Sequence, residues 1–539
     1  MVFRVSPLLI AALLPLAAQA ANDWNKPCFG SCSWDITTGK GSGTVQLTGT
    51  QSGVSDLTTA AGWTILDCDS KKADQDIRLV CHDTTKGCDH VTNDGAAGTV
   101  VRLPKSCGSV PFALVTRHWV HQDQSIPANK RALLTRRDGS KPKVMGTTLS
   151  TAFAKGDHNS KGNVTMHLIG SSLPGAAGSF TQKPPTAGHS KRGLGSWITK
   201  SLEDLDSVSK TLNGSAPLNF DKNVPLFDKS ISCPQKGKIP GFTGEAKVSL
   251  DAKVTGTVHY GVAASGTLVP PKVEEFGLFV GLDMDLLGTL ALDTTLTGSI
   301  STGTIPLFTT GIPGLDFPGL FSIGPTFTIN AEGTATLDTD VTTNVDIDYQ
   351  IKGAELFFPP QGKSSGSFSP GDSNIQLSVS PGVTSHGQVA AHLIPTLSFG
   401  INALAGAAKA TINLDVDGEA AVDLSLSADA KKATNVKGTA AAASTSSFGG
   451  CVDITSGLTV TASADADFLS IFDKSTSVNL FQKSFDLFKK CFGSSAARRT
   501  YTGRAEREAL LAKRAGLSCP ASSFTKAASI TKTKVSSKK

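Results

Sequence analysis

From Ile412 to Ala428 every even-numbered position is apolar or glycine, while the odd ones run Asn413, Asp415, Asp417, Glu419, Ala421, Asp423, Ser425 and Ser427. Successive side chains of a strand point to opposite faces, so this pattern predicts one dry and one acidic face over about 17 residues, or about 55 Å at ~3.3 Å per residue. Ordinary strands hold about 5 to 6 residues, so a bulge, bend or break is expected at Gly418 and Ala420-Ala421. The same period returns in Ala246, Val248, Leu250, Ala252 and Val254, in Val345, Ile347, Tyr349 and Ile351, and in Leu397, Phe399, Ile401, Ala403 and Ala405. Pro270-Pro271, the Gly/Pro/Phe stretch from Pro306 to Pro325, and Pro359-Pro360 through Pro370 read as breakers between these runs. The pattern predicts a large antiparallel, long-stranded sheet or sandwich over residues 213–492. A membrane barrel is a poor match, because such strands carry aromatic girdles at both ends and these runs are rich in Ala and Gly.

The first half alternates over shorter spans, such as Gly43-Thr44-Val45-Gln46-Leu47 and Thr99-Val100-Val101-Arg102-Leu103, which predicts a small β domain over residues 21–170. Residues 171–195 are Gly/Ser/Pro-rich and read as a linker. One amphipathic helix follows over residues 196–212, capped by Ser196, with Ile198, Leu202, Leu205, Val208 and Leu212 at helical spacing. The fold class is therefore mainly β: a small disulfide-rich domain, one helix, then a large long-stranded domain.

Cysteines and charge sharpen this outline. Cys28, Cys32, Cys68, Cys81, Cys88 and Cys107 crowd the first fifth of the chain; an even cluster predicts three bridges of open connectivity, and Cys451–Cys491 is expected because the two flank one compact β segment. A metal site at Cys81-His82 and Cys88-Asp89-His90 is the rival reading, disfavoured because thiols of exported chains oxidise. Export itself is read from Arg4, the apolar stretch Leu8 to Ala18 and Ala18-Gln19-Ala20, a signal peptide over residues 1–20. That stretch is too short to span a bilayer, so no transmembrane segment is expected. From Gly493 onward there are eleven Lys/Arg and two Glu. Taking that tail and Arg4 from the chain's formal +6 leaves −4 for residues 21–492, so the basic character belongs to the tail, residues 493–539, which reads as disordered. Asn163 and Asn213 lie in glycosylation sequons. Five dibasic pairs, ending at Arg131, Arg137, Arg192, Arg499 and Arg514, are candidates for processing by a kexin-like protease.

Catalytic signals are weak. Gly362-Lys363-Ser364-Ser365-Gly366 has the spacing of a nucleophile elbow, but prolines flank it where a strand and a helix are needed, and it reads as loop. His118 and His121 stand three apart on a predicted strand and face opposite ways. Asp283/Asp285, Asp346/Asp348 and Asp415/Asp417 sit two apart on wet faces, where carboxylates supply solubility and block edge pairing. No catalytic residue, metal or cofactor is assigned, and no nucleic-acid partner. Phe220-Asp221-Lys222, Leu226-Phe227 and Lys229-Ser230 are echoed by Phe472-Asp473-Lys474, Leu480-Phe481 and Lys483-Ser484, each copy leading to a cysteine, Cys233 and Cys491. The two copies are expected to open and close the large domain, or to be equivalent edges of a pseudo-repeat.

The stretch Ala61-Gly62-Trp63, Cys68, Gln75-Asp76-Ile77-Arg78-Leu79-Val80-Cys81, Gly87-Cys88-Asp89-His90, Val101-Arg102-Leu103-Pro104 and Cys107-Gly108, with the closing Leu487-Phe488-Lys489-Lys490-Cys491-Phe492-Gly493, resembles an uncharacterised group of secreted fungal, chiefly basidiomycete, proteins with a domain of unknown function in the long-strand half. The resemblance implies a fungal, extracellular origin and an all-β C-terminal domain, and carries over no binding or catalytic residue. The expectation is a secreted, extracellular or cell-wall-associated protein with a structural or binding role, whose partner is a wall polysaccharide or another extracellular surface. The alternative is a lipid- or glycan-active carrier or hydrolase with a groove in the large β domain.

Overall fold

The computed structural model describes residues 25–38, 41–134, 142–176, 191–210, 215–235, 241–337, 341–359, 365–371, 373–379, 384–406, 408–428, 448–464, 477–492, 517–519 and 528–535. The signal-peptide segment, Arg137, Asn213, Arg499, Arg514 and most of the predicted linker lie outside them. The chain divides into two compact units, one of residues 1–213 with 263–271, the other of residues 214–262 with 272–539.

The first unit holds β1 (Ser31–Thr38), β2 (Gly41–Thr48), β3 (Val54–Asp56), β4 (Trp63–Asp67), β5 (Gln75–Cys81), β6 (Val100–Arg102), β7 (Phe112–Val120), β8 (Val144–Ser150) and β9 (Val164–Ser171), with helices α1 (Ala128–Leu134), α2 (His158–Lys161) and α3 (Lys191–Ser209). One sheet runs β3-β6-β7-β8-β5-β4, parallel only at β3–β6; β1, β2 and β9 pair side by side in another. The alternation is obeyed closely: Ile77, Leu79, Val101, Val115 and Leu149 turn inward onto Trp63, Leu57 and the buried cysteines Cys88 and Cys107. On the opposite face Val80, Val144 and Leu66 meet Leu134 of α1. Bridges Cys28–Cys32, Cys68–Cys107 and Cys81–Cys88 staple this unit. A buried ion pair, Arg102 Nη2 to Asp56 Oδ2 at 2.7 Å, ties β6 to β3, and Asp56 also accepts the Cys28 and Thr58 amides. The helix begins earlier than the sequence indicated: Ser196 lies inside α3 rather than at its cap.

The second unit contains β10 (Ala216–Cys233), β11 (Phe242–Val269, whose last residues belong to the first unit), β12 (Lys272–Thr294), β13 (Thr297–Ser301), β14 (Ile305–Gly311), β15 (Leu315–Phe317), β16 (Phe321–Leu337), β17 (Val341–Phe358), β18 (Ser365–Pro370), β19 (Ser373–Val379), β20 (Thr384–Ala403), β21 (Ala408–Ala428), β22 (Phe448–Ala464), β23 (Ser477–Phe492), β24 (Leu517–Ser518) and β25 (Ala528–Val535). One sheet runs β10-β11-β12-β17-β19-β25, the other β23-β22-β21-β20-β16-β13-β24. Their dry faces meet: Tyr260 of β11 packs edge-on to Phe399 of β20 with centroids 5.5 Å apart, and Tyr349 of β17 reaches Ser456 of β22 and the Glu419 carbonyl of β21. This is a sandwich of two antiparallel sheets.

Three sequence expectations change here. No break interrupts β21, which pairs with β22 from Ile412↔Ala464 to Ala428↔Phe448 without a register shift. The proline-rich stretches are partly strand: Pro306 lies in β14 beside a bulge, Pro325 continues β16, and β18 replaces the loop expected before Pro370. The tail is not free at its described residues, because β25 joins β19, β24 joins β13, and Cys519 is bridged to Cys233 across 286 residues.

Candidate functional site

The carboxylates singled out in the sequence stand on the outer, polar sides of the two sheets. Asp283 accepts the Gly353 amide at 2.7 Å and Asp346 the Thr289 hydroxyl at 2.8 Å. Asp415 accepts the Thr396 hydroxyl at 2.7 Å, and Asp417 holds His392 Nδ1 at 3.0 and 3.1 Å. His392 is set between Glu332 of β16 and Glu419 of β21, its register partners on the two neighbouring strands. The hydrogen bond that Asp417 accepts from it holds its pKa above the ordinary histidine value; burial works against this, and the charges of Asp417, Glu419 and Glu332 add to it. Chemically this is a part-exposed acidic stripe carrying one histidine, in which cross-strand pairs fix side chains against the sheet.

The first unit carries an open cleft of about 650 Å³ lined by Leu66, Asp67, Cys68, Asp69, Lys72, Asp74, Gln75 and Asp76. Its carboxylates are engaged too. Asp67 pairs with Arg78, which also binds Asp123 at 2.5 Å; Asp74 accepts the Thr151 amide and Asp76 the Thr148 hydroxyl. On the same sheet Arg117 lies over the Trp119 ring, 4.5 Å from its centroid.

His118 and His121 do not come together. His118 turns inward to the Thr147 hydroxyl at 2.8 Å and edge-on to Trp63, while His121 Nδ1 accepts the Asp123 amide at 3.0 Å. Among the described residues is a serine–histidine contact that sequence reasoning missed: Ser55 Oγ lies 3.4 Å from His90 Nδ1. Ser55 is 1% exposed and the His90 ring stacks on Phe29 at 4.1 Å, so the hydroxyl cannot meet a substrate. No local motif announces it, since the partners come from β3 and a turn 35 residues on. Of the elbow-like segment, Gly362 to Ser364 lie outside the described residues, and the Ser365 hydroxyl donates to Glu355 at 2.6 Å. Among the described residues no group of three His, Cys, Asp or Glu is placed to hold a metal, and no helix is long and apolar enough to cross a membrane.

The processing and glycan candidates are placed as follows. Lys130 is in α1 and its ammonium donates to the Ile65 and Leu66 carbonyls, while Arg131 Nε donates to the Ile126 carbonyl. Lys191-Arg192 form the first turn of α3. Asn163 is exposed just before β9, and the Thr165 hydroxyl of its sequon donates to the Thr48 carbonyl at 2.9 Å. Cys451 and Cys491 are bonded, facing each other across β22 and β23.

A family profile described as a domain of unknown function, DUF7223, matches residues 279–493, from within β12 to just past β23. No curated protein and no solved structure matches the chain.

Proposed function

We propose that this is a secreted, extracellular or cell-wall-associated protein of fungal origin, whose large β unit serves as a structural or binding scaffold rather than an enzyme. The observation that supports this most is how tightly the two dry faces close on each other among the described residues. Between the two dry faces the void lined by Leu278, Val280, Leu356, Phe357, Phe358, Ile412, Leu414, Ala462 and Leu480 amounts to about 10 Å³, room for a water molecule at most. A carrier or hydrolase for lipid or glycan needs a pocket of hundreds of Å³. The disulfides support an oxidising compartment, and the resemblance noted above supports the source. In this reading wall polysaccharide or another extracellular surface is the partner, met by the polar outer faces, and Asn163 carries a glycan.

The test is to express the full chain in a fungal host, separate wall from medium, and offer the purified protein chitin, β-glucan and lipid vesicles alongside ester and glycoside substrates. Retention on the wall or on one polymer without turnover is the expected result; turnover of any substrate overturns it. A mass shift on enzymatic deglycosylation, lost in Asn163→Gln, is expected in the same material.

A further inference from the structure

α3 meets β9 of the first unit through Trp197, and Trp197, Ile198, Leu202 and Leu205 form a stripe that is at most 5% exposed. One buried polar residue, Ser201, interrupts that stripe, and another, His167, lies beneath it. Ser201 is fully buried one turn after Trp197, and the Trp197 indole meets His167 of β9 edge-on, with centroids 5.2 Å apart at 80°. His167 is 4% exposed. Both its ring nitrogens, the Trp197 Nε1 and the Ser201 Oγ are buried without a hydrogen-bond partner. An orphaned buried polar atom gives up its hydrogen bonds to water without replacement, so four at one helix seat make closure costly where the apolar contacts around them favour it.

The depression of the His167 pKa is due to burial. Its register partner on β2 is Gln46 and residues 263–269 of β11 have no titratable side chain; the charged groups of the neighbouring elements are Glu203, Asp204 and Asp206, half-buried in α3, and Asp35, two strands away on β1. We propose that α3 is a strap released by acid: protonation of His167 places a charge that this seat cannot solvate, and the helix lifts so that water reaches the imidazolium, Trp197 and Ser201. Burial alone holds the His167 pKa down, to about 4 against an ordinary 6.5, which sets the range in which the strap loosens. Below 6.5 each pH unit reduces the closed-to-open ratio by up to about tenfold until the pH nears the closed-state value.

Hydrogen–deuterium exchange of the full chain at about pH 7 and about pH 4.5, corrected for intrinsic rates, tests this. The expected result is that Trp197 to Leu205 lose protection at the lower pH while β2 and β9 keep theirs, and that His167→Phe retains α3 protection at both. Unchanged α3 protection, loss in step with β2 and β9, or equal acid loss in His167→Phe would each overturn the proposal. Should that variant not fold, His167→Gln takes its place, and an NMR titration of His167 in the parent giving an ordinary imidazole pKa overturns it independently.

Discussion

Gly418 is buried where Leu286 and Tyr349 of the facing sheet press against β21: a Cβ built there would lie 2.8 Å from Leu286 Cδ2 and 3.5 Å from Tyr349 Cδ2. The residue that looked like a weak point in a long strand is thus a close-approach point between two sheets. Gly418→Val should destabilise the second unit by roughly 1–3 kcal/mol, read as a lower midpoint in chemical denaturation, because overpacking forces the facing side chains to shift. His392 offers a pH test of the acidic stripe. Its pKa is raised in the folded protein, so its contribution to stability is fully present below the unfolded value of 6.5 and is lost as pH rises through the folded value. Asp417→Asn removes the largest cause, and NMR titration should show the His392 pKa falling. Neither feature can be read locally: the alternation marks 418 as inward and 417 as outward, but Leu286, Tyr349 and His392 are other strands' residues.

At the scale of elements, alternation was a faithful guide to faces. Ala246, Val248, Leu250, Ala252 and Val254 are all buried, as are Ile412, Leu414, Val416 and Ala420. It fails where both faces are covered. From Tyr260 to Val269 every position of β11 is buried, and small residues such as Gly261, Ala263, Ala264 and Gly266 replace the polar half of the pattern. Phe472-Asp473-Lys474 of the internal echo lie outside the described residues, and the rest of it falls on two edges: among the described residues β10 pairs only with β11, and β23 ends the other sheet, both carrying exposed charges such as Asp221, Lys222, Lys483 and Asp486 that deter further pairing. Cys451–Cys491 secures one of those edges. Replacing both cysteines with serine should cost roughly 2–4 kcal/mol and raise exchange in β23 before that in β21, measured by denaturation and hydrogen exchange. Cys519 belongs to a segment whose composition reads as solvated tail; nothing in its neighbours announces a partner as distant as Cys233.

For the whole molecule, the buried histidines of the first unit and His392 of the second answer acid with opposite sign. His82, His90, His118 and His167 of the first unit all have pKa values lowered by burial, so they contribute stability above 6.5 that is lost as pH falls; His392 in the second behaves the other way. Calorimetry from neutral to mildly acidic pH should therefore show the first unit's transition moving to lower temperature while the second unit's moves less. A common shift of both would contradict that assignment. The sequence by itself determined the mainly β class, the crowding of cysteines in the first unit and the inward or outward sense of most strand positions, because side-chain alternation and covalent composition are local. Strand order, the unbroken β21, the Cys233–Cys519 bridge, the close contact of Gly418 with the facing sheet and the polar seat beneath α3 were decided only by the tertiary structure, because each depends on which distant residues arrive opposite one another.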